Sequence, residues 1–117
     1  MTRLRLLATP ALLLSLVGCH SAFIDATIQN RTDQTLSPVE LDYPSASLGT
    51  PTLAPGADFH YRFKIQGSGN LKLIYTDAAH ADHTFNGPKF NEGDEGSLIV
   101  TIAASGVAWT PQLKAQR

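Results

Sequence analysis

Residues 58–65 alternate between apolar and polar side chains, and this period of two restricts the possible fold more than any other feature of the sequence. The apolar positions are Phe59, Tyr61, Phe63 and Ile65. The polar positions between them are Asp58, His60, Arg62 and Lys64. Successive side chains of a β-strand point to opposite faces of the sheet, whereas a helix repeats about every 3.6 residues. The segment is therefore predicted to be a strand that buries its aromatic face.

A second alternation follows a short polar break. Leu71, Leu73 and Tyr75 share one face of residues 71–76, and the break at residues 66–70 contains two glycines. Glycine and polar residues between two alternating segments are typical of a β-hairpin. The two segments are therefore predicted to pair with each other as a hairpin.

Further short alternations recur through the chain at intervals of about ten residues. They cover residues 23–29, 39–43, 83–86, 97–103 and 107–110. Residues 97–103 carry apolar side chains on both faces, which favours a central strand. Residues 44–57 contain three prolines. They are predicted to be an edge connection with little pairing, because proline cannot donate a hydrogen bond to a ladder.

Strands of this length and spacing, with turn residues between them, predict an all-β fold. No segment after residue 18 has the periodicity of a helix. We expect an antiparallel β-sandwich of about seven short strands with immunoglobulin-like or fibronectin-like architecture. A small closed barrel predicts the same pattern, and this alternative stays open. The single tryptophan, Trp109, is expected either to cap the core beneath a terminal strand or to lie exposed as a contact for a partner.

The amino-terminal segment has the parts of a secretory signal. Arg3 and Arg5 precede an apolar run over residues 6–17, which at 12 residues is shorter than the roughly 20 that a membrane-spanning helix needs. The run ends in Leu-Val-Gly-Cys at residues 16–19, and this resembles the lipobox of bacterial lipoproteins. The resemblance implies lipidation of the thiol of Cys19 and cleavage just before it. An ordinary signal peptide with an incidental cysteine is the alternative.

The lipoprotein resemblance also implies where the mature protein is held. Two or three acyl chains hold a protein stably at a membrane, whereas a single chain binds only weakly. In this family an aspartate after the cysteine retains the protein in the inner membrane, and here that residue is His20. The expected location is therefore the cell envelope, with the lipid in the outer membrane and the domain facing the periplasm. The expected division is a signal peptide (1–18), a lipidated tether (19–22), a β-sandwich domain (23–110) and a carboxyl-terminal tail (111–117).

Removal of the signal would leave 99 of the 117 residues, which is enough for one small domain. The mature chain would carry ten acidic residues against seven basic ones, so its net charge would be −3. Nucleic-acid binding is not expected, because it normally needs a basic surface that displaces counterions from phosphates. Cys19 has no second cysteine to pair with, so the domain must be stabilised by packing alone.

One seven-residue segment concentrates metal-ligating side chains. It contains Asp77, His80, Asp82 and His83. Imidazole and carboxylate groups are ligands for zinc and copper, and His60 is a candidate further ligand. The segment is expected at the tip of a hairpin, where nothing in the spacing forces the ligands to converge. A polar turn without a metal is the alternative.

Catalytic motifs are absent from the sequence, which has no nucleophile elbow, no HExxH pair and no phosphate-binding loop. The order of strands and turns resembles small bacterial lipoproteins with an immunoglobulin-like domain. We therefore expect a noncatalytic envelope protein that binds another envelope protein or has a structural role, with no cofactor besides the lipid on Cys19. The alternative is a periplasmic lipoprotein that binds a transition metal through His80 and His83.

Overall fold

The computed structural model describes residues 22–115 of the chain. Within this range there are eight β-strands and no helix, and so no helix that is long and apolar enough to cross a membrane. The strands are β1 (Ile24–Asn30), β2 (Val39–Tyr43), β3 (Ala46–Thr50), β4 (Asp58–Phe63), β5 (Gly69–Thr76), β6 (Asp82–Phe90), β7 (Gly96–Ala103) and β8 (Gly106–Leu113). The expected signal peptide (1–18) and the lipidation site at Cys19 lie outside the described residues.

The strands form two four-stranded sheets that pack face to face. The first sheet has the order β4-β1-β7-β8, and the second has the order β3-β2-β5-β6. Apolar side chains from both sheets fill the space between them. This arrangement confirms the predicted all-β sandwich, with eight strands in residues 22–115 instead of about seven. The pairing is antiparallel except between β1 and β7, which run parallel. Parallel neighbours need a long crossover connection, and the intervening strands supply it.

The core consists of inward-facing residues from both sheets. The largest fully buried side chains are Phe90, Ile24, Ile28, Leu36, Leu41, Ile65, Leu71, Leu73, Leu98 and Ile102. β7 lies between β1 and β8, which confirms the prediction that residues 97–103 form a central strand. The outward-facing Ile99 of this strand is 38% exposed, and it accounts for the apolar character of the second face.

The predicted hairpin between residues 58–65 and residues 71–76 is wrong. β4 pairs with β1, where Phe63 lies opposite Ile24, and β5 pairs with β2 and β6. The chain crosses from one sheet to the other after Phe63, and Ile65 is buried in that crossing with 1% of its surface exposed. Alternation indicates which face of a strand is apolar and not which strand lies beside it. It could not distinguish a hairpin from a crossing between sheets.

The expectation of little pairing in residues 44–57 is also wrong. Ala46–Thr50 forms β3, which pairs with β2 along its whole length. Leu48 at the centre of this strand is buried. Pro44 and Pro51 flank the strand and do not interrupt it. The prolines therefore limit the length of an edge strand and do not prevent it from forming.

β8 extends to Leu113, so the first three residues of the expected tail (111–117) lie in a strand. Trp109 is half-buried on β8 and packs against the core, which confirms the capping position that was one of its two expected roles. A Cβ atom built on Gly87 of β6 would lie 2.6 Å from the indole ring. The indole ring therefore packs directly against the backbone of β6, at a position where only a glycine leaves room for it. In this position Trp109 closes the side of the sandwich between β6 and β8.

Candidate functional site

The turn that joins β5 to β6 is organised by one carboxylate. Asp77 accepts backbone hydrogen bonds at Oδ1 from Ala79 (2.9 Å) and Ala81 (3.0 Å). Its Oδ2 lies 2.8 Å from Nε2 of His83 on β6. His80 is exposed and adopts a left-handed conformation with a φ of 65°. Asp77 therefore fixes both the turn and the side chain of His83.

Only part of the predicted metal cluster comes together. Asp82 accepts a hydrogen bond at Oδ1 from Oγ1 of Thr76 (2.7 Å). His60 lies in the other sheet, with its Nδ1 atom 3.0 Å from Oγ1 of Thr27. Within residues 22–115, no group of three or more His, Cys, Asp or Glu side chains is arranged to hold a metal ion. Metal binding by the full set stays a prediction, and that set is Asp77, His80, Asp82 and His83.

The Asp77–His83 pair lines a small cleft of about 180 Å³ at one end of the sandwich. The ring of Tyr75 stacks on that of His83, with ring centroids 4.8 Å apart and an interplanar angle of 20°. Gln34, which follows β1, accepts a hydrogen bond at Oε1 from the backbone N–H of Ala78 (3.1 Å). The cleft therefore lies at the end of the sandwich where β1 finishes.

A shifted pKa makes this pair a source of pH-dependent stability. The hydrogen bond from His83, together with those from Ala81 and Ala79, holds the pKa of Asp77 below its ordinary value. The ionised carboxylate therefore stabilises the fold above the ordinary aspartate pKa of about 3.9, and this contribution is lost as the pH falls through the folded-state pKa. We expect Asp77→Asn to be less stable than wild type at about pH 6, with a difference that shrinks below about pH 4. Chemical denaturation at both pH values measures it.

The control for this prediction removes the partner of the carboxylate. His83→Phe keeps a ring against Tyr75 and eliminates the hydrogen bond to Asp77. In this background Asp77→Asn should have a smaller effect and a weaker pH dependence, because two residues in contact are energetically coupled. An equal pH dependence in both backgrounds would show that the backbone amides of the turn, and not His83, lower the pKa.

The second candidate site is the free edge of β4. Asn30 donates its backbone N–H to the carbonyl of Ala57 next to β4 (3.0 Å), whereas Arg31 donates to the carbonyl of Ile102 on β7 (2.7 Å). Even-numbered residues of β1 therefore bond toward β4, and odd-numbered residues bond toward β7. The even-numbered residues of β1 lie opposite the odd-numbered residues of β4, whose backbone groups therefore bond toward β1. The backbone groups of residues 58, 60 and 62 point the other way, away from β1. Within residues 22–115, β4 has no second neighbour in its sheet.

Two of the other three sheet edges contain a proline, and the third is flanked by two. Pro88 lies within β6 and Pro111 lies within β8, while β3 is confined between Pro44 and Pro51. Proline at an edge removes a backbone donor and so discourages pairing with another chain. β4 is six residues long and contains no proline. Among the described edges it is the one best able to accept another strand.

β4 has an apolar inward face and a charged outward face at this edge. Tyr61 is 49% exposed although it lies on the inward face, and its ring stacks on that of the half-buried Phe59 with centroids 6.3 Å apart. On the outward face Asp58, His60 and Arg62 are exposed. The prediction that Tyr61 is buried is therefore wrong, because an edge strand is covered less completely by the opposite sheet. The alternation identified the face, but no signal in the sequence identified the edge.

Comparisons with known proteins inform the fold alone. No protein-family model matches the chain. No curated protein matches it either. The chain is similar to an NMR structure of a protein from Eubacterium rectale, with a TM-score of 0.58 and 13% sequence identity, covering 82% of this chain and 93% of the other. At this level of identity the similarity supports the sandwich fold and says nothing about function.

Proposed function

We propose that the protein is a noncatalytic, lipid-anchored protein of the bacterial cell envelope that binds a protein partner at the free edge of β4. The observation that carries the partner proposal is this edge, which has unpaired backbone groups, no proline and an exposed aromatic ring at Tyr61. A strand of the partner that pairs there would satisfy the backbone groups and cover the ring. Binding of this kind requires neither a metal nor a catalytic residue.

The lipobox-like segment at residues 16–19 supports the anchor. Cys19 lies five residues before the start of β1 at Ile24, so a lipid at this position would hold the sandwich close to the bilayer. Phe63 lies opposite Ile24, so the tether enters the sandwich beside the carboxyl-terminal end of β4. We place the lipid in the outer membrane, with the domain facing the periplasm, because His20 replaces the aspartate that retains lipoproteins in the inner membrane.

Replacing Cys19 with alanine is expected to abolish lipid attachment, because the thiol is the nucleophile that accepts the lipid. The variant should accumulate as a precursor that still contains residues 1–18. Metabolic labelling with a fatty-acid analogue, followed by intact-mass analysis, measures both effects. Ser21→Ala is the matched control and should be labelled as wild type is. Equal labelling of the Cys19→Ala variant and wild type would exclude Cys19 as the lipidation site.

A photo-crosslinking side chain at position 61 tests the partner site in intact cells. We expect a discrete protein adduct from position 61 and none from position 110 on the proline-containing edge of β8. His60→Pro removes a backbone N–H that points away from β1, so it should abolish the adduct while β1 and β4 stay paired. The lack of an adduct at position 61, or an adduct that His60→Pro leaves unchanged, would contradict strand pairing at this edge.

A further inference from the structure

We infer that the strand accepted by the free edge of β4 is β4 of a second copy of this chain. This inference rests on the proposed function, because it assigns an occupant to the same edge. The two β4 strands pair antiparallel about a two-fold axis at His60. The first sheets of the two copies then join edge to edge into one continuous sheet.

The sequence of β4 is complementary to itself in the reversed direction. With His60 opposite His60 of the second copy, Asp58 lies opposite Arg62 and Phe59 lies opposite Tyr61. Each of these pairs occurs twice because of the two-fold axis. Opposite charges and aromatic rings placed directly across two antiparallel strands stabilise a sheet. The side chains on both faces of β4 therefore favour a second β4 as the partner.

The backbone agrees with this register. The N–H and C=O groups of residues 58, 60 and 62 point away from β1, and in this register they meet their counterparts in hydrogen-bonded pairs. Phe59 and Tyr61 then occupy non-hydrogen-bonded pairs, where side chains approach most closely. The backbone permits this alignment, as it permits others that set residues 58, 60 and 62 opposite one another, and the charges and aromatic rings select it.

Neighbouring registers lose this complementarity. With Tyr61 at the two-fold axis, His60 would lie opposite Arg62, and Phe59 would lie opposite Phe63. Phe63 is only 3% exposed, so its ring is not available to a second copy. With Phe59 at the axis, Tyr61 would lie opposite Ala57 and would lose its aromatic partner. In the register centred on Tyr61, Asp58 would lie opposite Lys64, but Arg62 would have no acidic partner. Only the register centred on His60 gives both Asp58 and Arg62 a partner of opposite charge within β4.

Existing ion pairs leave the two charges able to bind across the edge. Asp58 contacts Nη1 of Arg31 through Oδ1 at 2.9 Å, and Arg62 contacts Oδ1 of Asp25 through Nε at 3.5 Å. The side chains of Arg62 and Asp25 are 66% and 70% exposed. An ion pair with this much exposure to solvent contributes little to the stability of the fold. The guanidinium of Arg62 also lies 4.7 Å from the ring centroid of Phe23. Arg62 must turn away from these exposed contacts to reach Oδ2 of Asp58 in the second copy, and exposed contacts of both kinds cost little to break.

A cysteine at the two-fold axis tests the register in the full chain. Residues in a hydrogen-bonded antiparallel pair have Cα atoms about 5.5 Å apart, a distance that a disulfide can bridge. In cells treated with a thiol oxidant, His60→Cys should give a disulfide-linked dimer on a non-reducing gel. Tyr61→Cys is the matched control, because the two copies of residue 61 lie too far apart to be bridged in this register. Wild type controls for the thiol of Cys19.

A charge exchange tests whether the partner is the same chain. Arg62→Asp places two aspartates opposite each other at both ends of the pairing, and Asp58→Arg places two arginines there. In the His60→Cys background, each change should lower the dimer yield about tenfold. Co-expression of the two variants should restore the yield, because the mixed dimer again sets arginine opposite aspartate. This rescue also requires that both variants fold.

The inference is supported if His60→Cys forms a dimer, if each charge variant lowers the yield of that dimer, and if co-expression of the two variants restores it. No dimer from His60→Cys, an equal yield from Tyr61→Cys, or no rescue by the mixture overturns it. If the crosslinker at position 61 then still captures a different protein in a way that His60→Pro abolishes, the proposed function stands and only the second copy is excluded. If position 61 captures nothing as well, both proposals fail and the charges of β4 serve only to protect an edge.

Discussion

Replacing Phe63 with alanine is expected to lower the free energy of unfolding by about 3 to 5 kcal/mol. Phe63 is 3% exposed, and its ring centroid lies 4.4 Å from that of Tyr43 in the opposite sheet. The substitution removes apolar contacts between the sheets and leaves a cavity. Because hydrogen-bonded ladders hold each sheet, the surrounding structure can relax only partially into that space. Urea denaturation, with the slope of the transition compared between variant and wild type, measures the loss.

Lys64→Ala is the matched control for this prediction. Lys64 is the next residue in the chain and is exposed, so its truncation should change the free energy of unfolding by less than about 0.5 kcal/mol. Similar losses from both substitutions would mean that the carboxyl-terminal end of β4 does not bury one face against the second sheet.

Replacing Asn30 with aspartate is expected to cost about 3 to 5 kcal/mol at neutral pH. The side chain of Asn30 is fully buried. Its amide donates to the carbonyls of Gln34 (2.8 Å) and Leu53 (3.0 Å), and its Oδ1 accepts from the backbone N–H of Thr32 (3.0 Å). A carboxylate of the same shape cannot donate, so it would place a buried charge against two carbonyl oxygens. Thermal or urea denaturation measures the effect.

Asn86→Asp makes the same chemical change at an exposed position of β6. It should alter the stability by less than about 0.5 kcal/mol, since water can solvate the new charge. If the two variants were equally stable, the hydrogen bonds of Asn30 would contribute nothing beyond what solvent provides. The reversed order, with Asn86→Asp the less stable, would contradict the burial of Asn30.

Pairing through a two-fold axis would limit the assembly to two copies. In an isologous contact each copy uses the same surface, so the β4 edge of one copy is fully occupied by that of the other. The remaining edges of the first and second sheets carry or adjoin prolines, which discourage further pairing. The unprotected edge would therefore not lead to open-ended association. In this arrangement the absence of proline from β4 is a requirement of the dimer.

Local patterns predict several strands closely. The alternation of residues 39–43 predicts the bounds observed for β2, and apolar side chains on both faces of residues 97–103 predict the central position of β7. Both features depend only on consecutive residues. They can be recognised without knowledge of which strands lie alongside.

The candidate sites depend on contacts that sequence spacing does not specify. Asp77, His80 and His83 fall within seven residues, yet the turn brings only Asp77 into contact with His83. The left-handed backbone of His80 is part of the turn geometry that decides this outcome. Asn30 lies in a polar stretch of the sequence, and its burial follows from contacts with Leu53, 23 residues away.

The sequence by itself determined that the strands have apolar inward faces, and this pattern requires an all-β fold that buries those faces, as either a sandwich or a barrel does. Only the tertiary structure decided that β4 lies beside β1 and not beside β5, and hence that Tyr61 stands at an exposed edge. The physical reason is that alternation records how consecutive side chains divide between the core and solvent. Strand order depends on hydrogen bonds and packing between segments far apart in the chain, and many pairings satisfy the same local pattern.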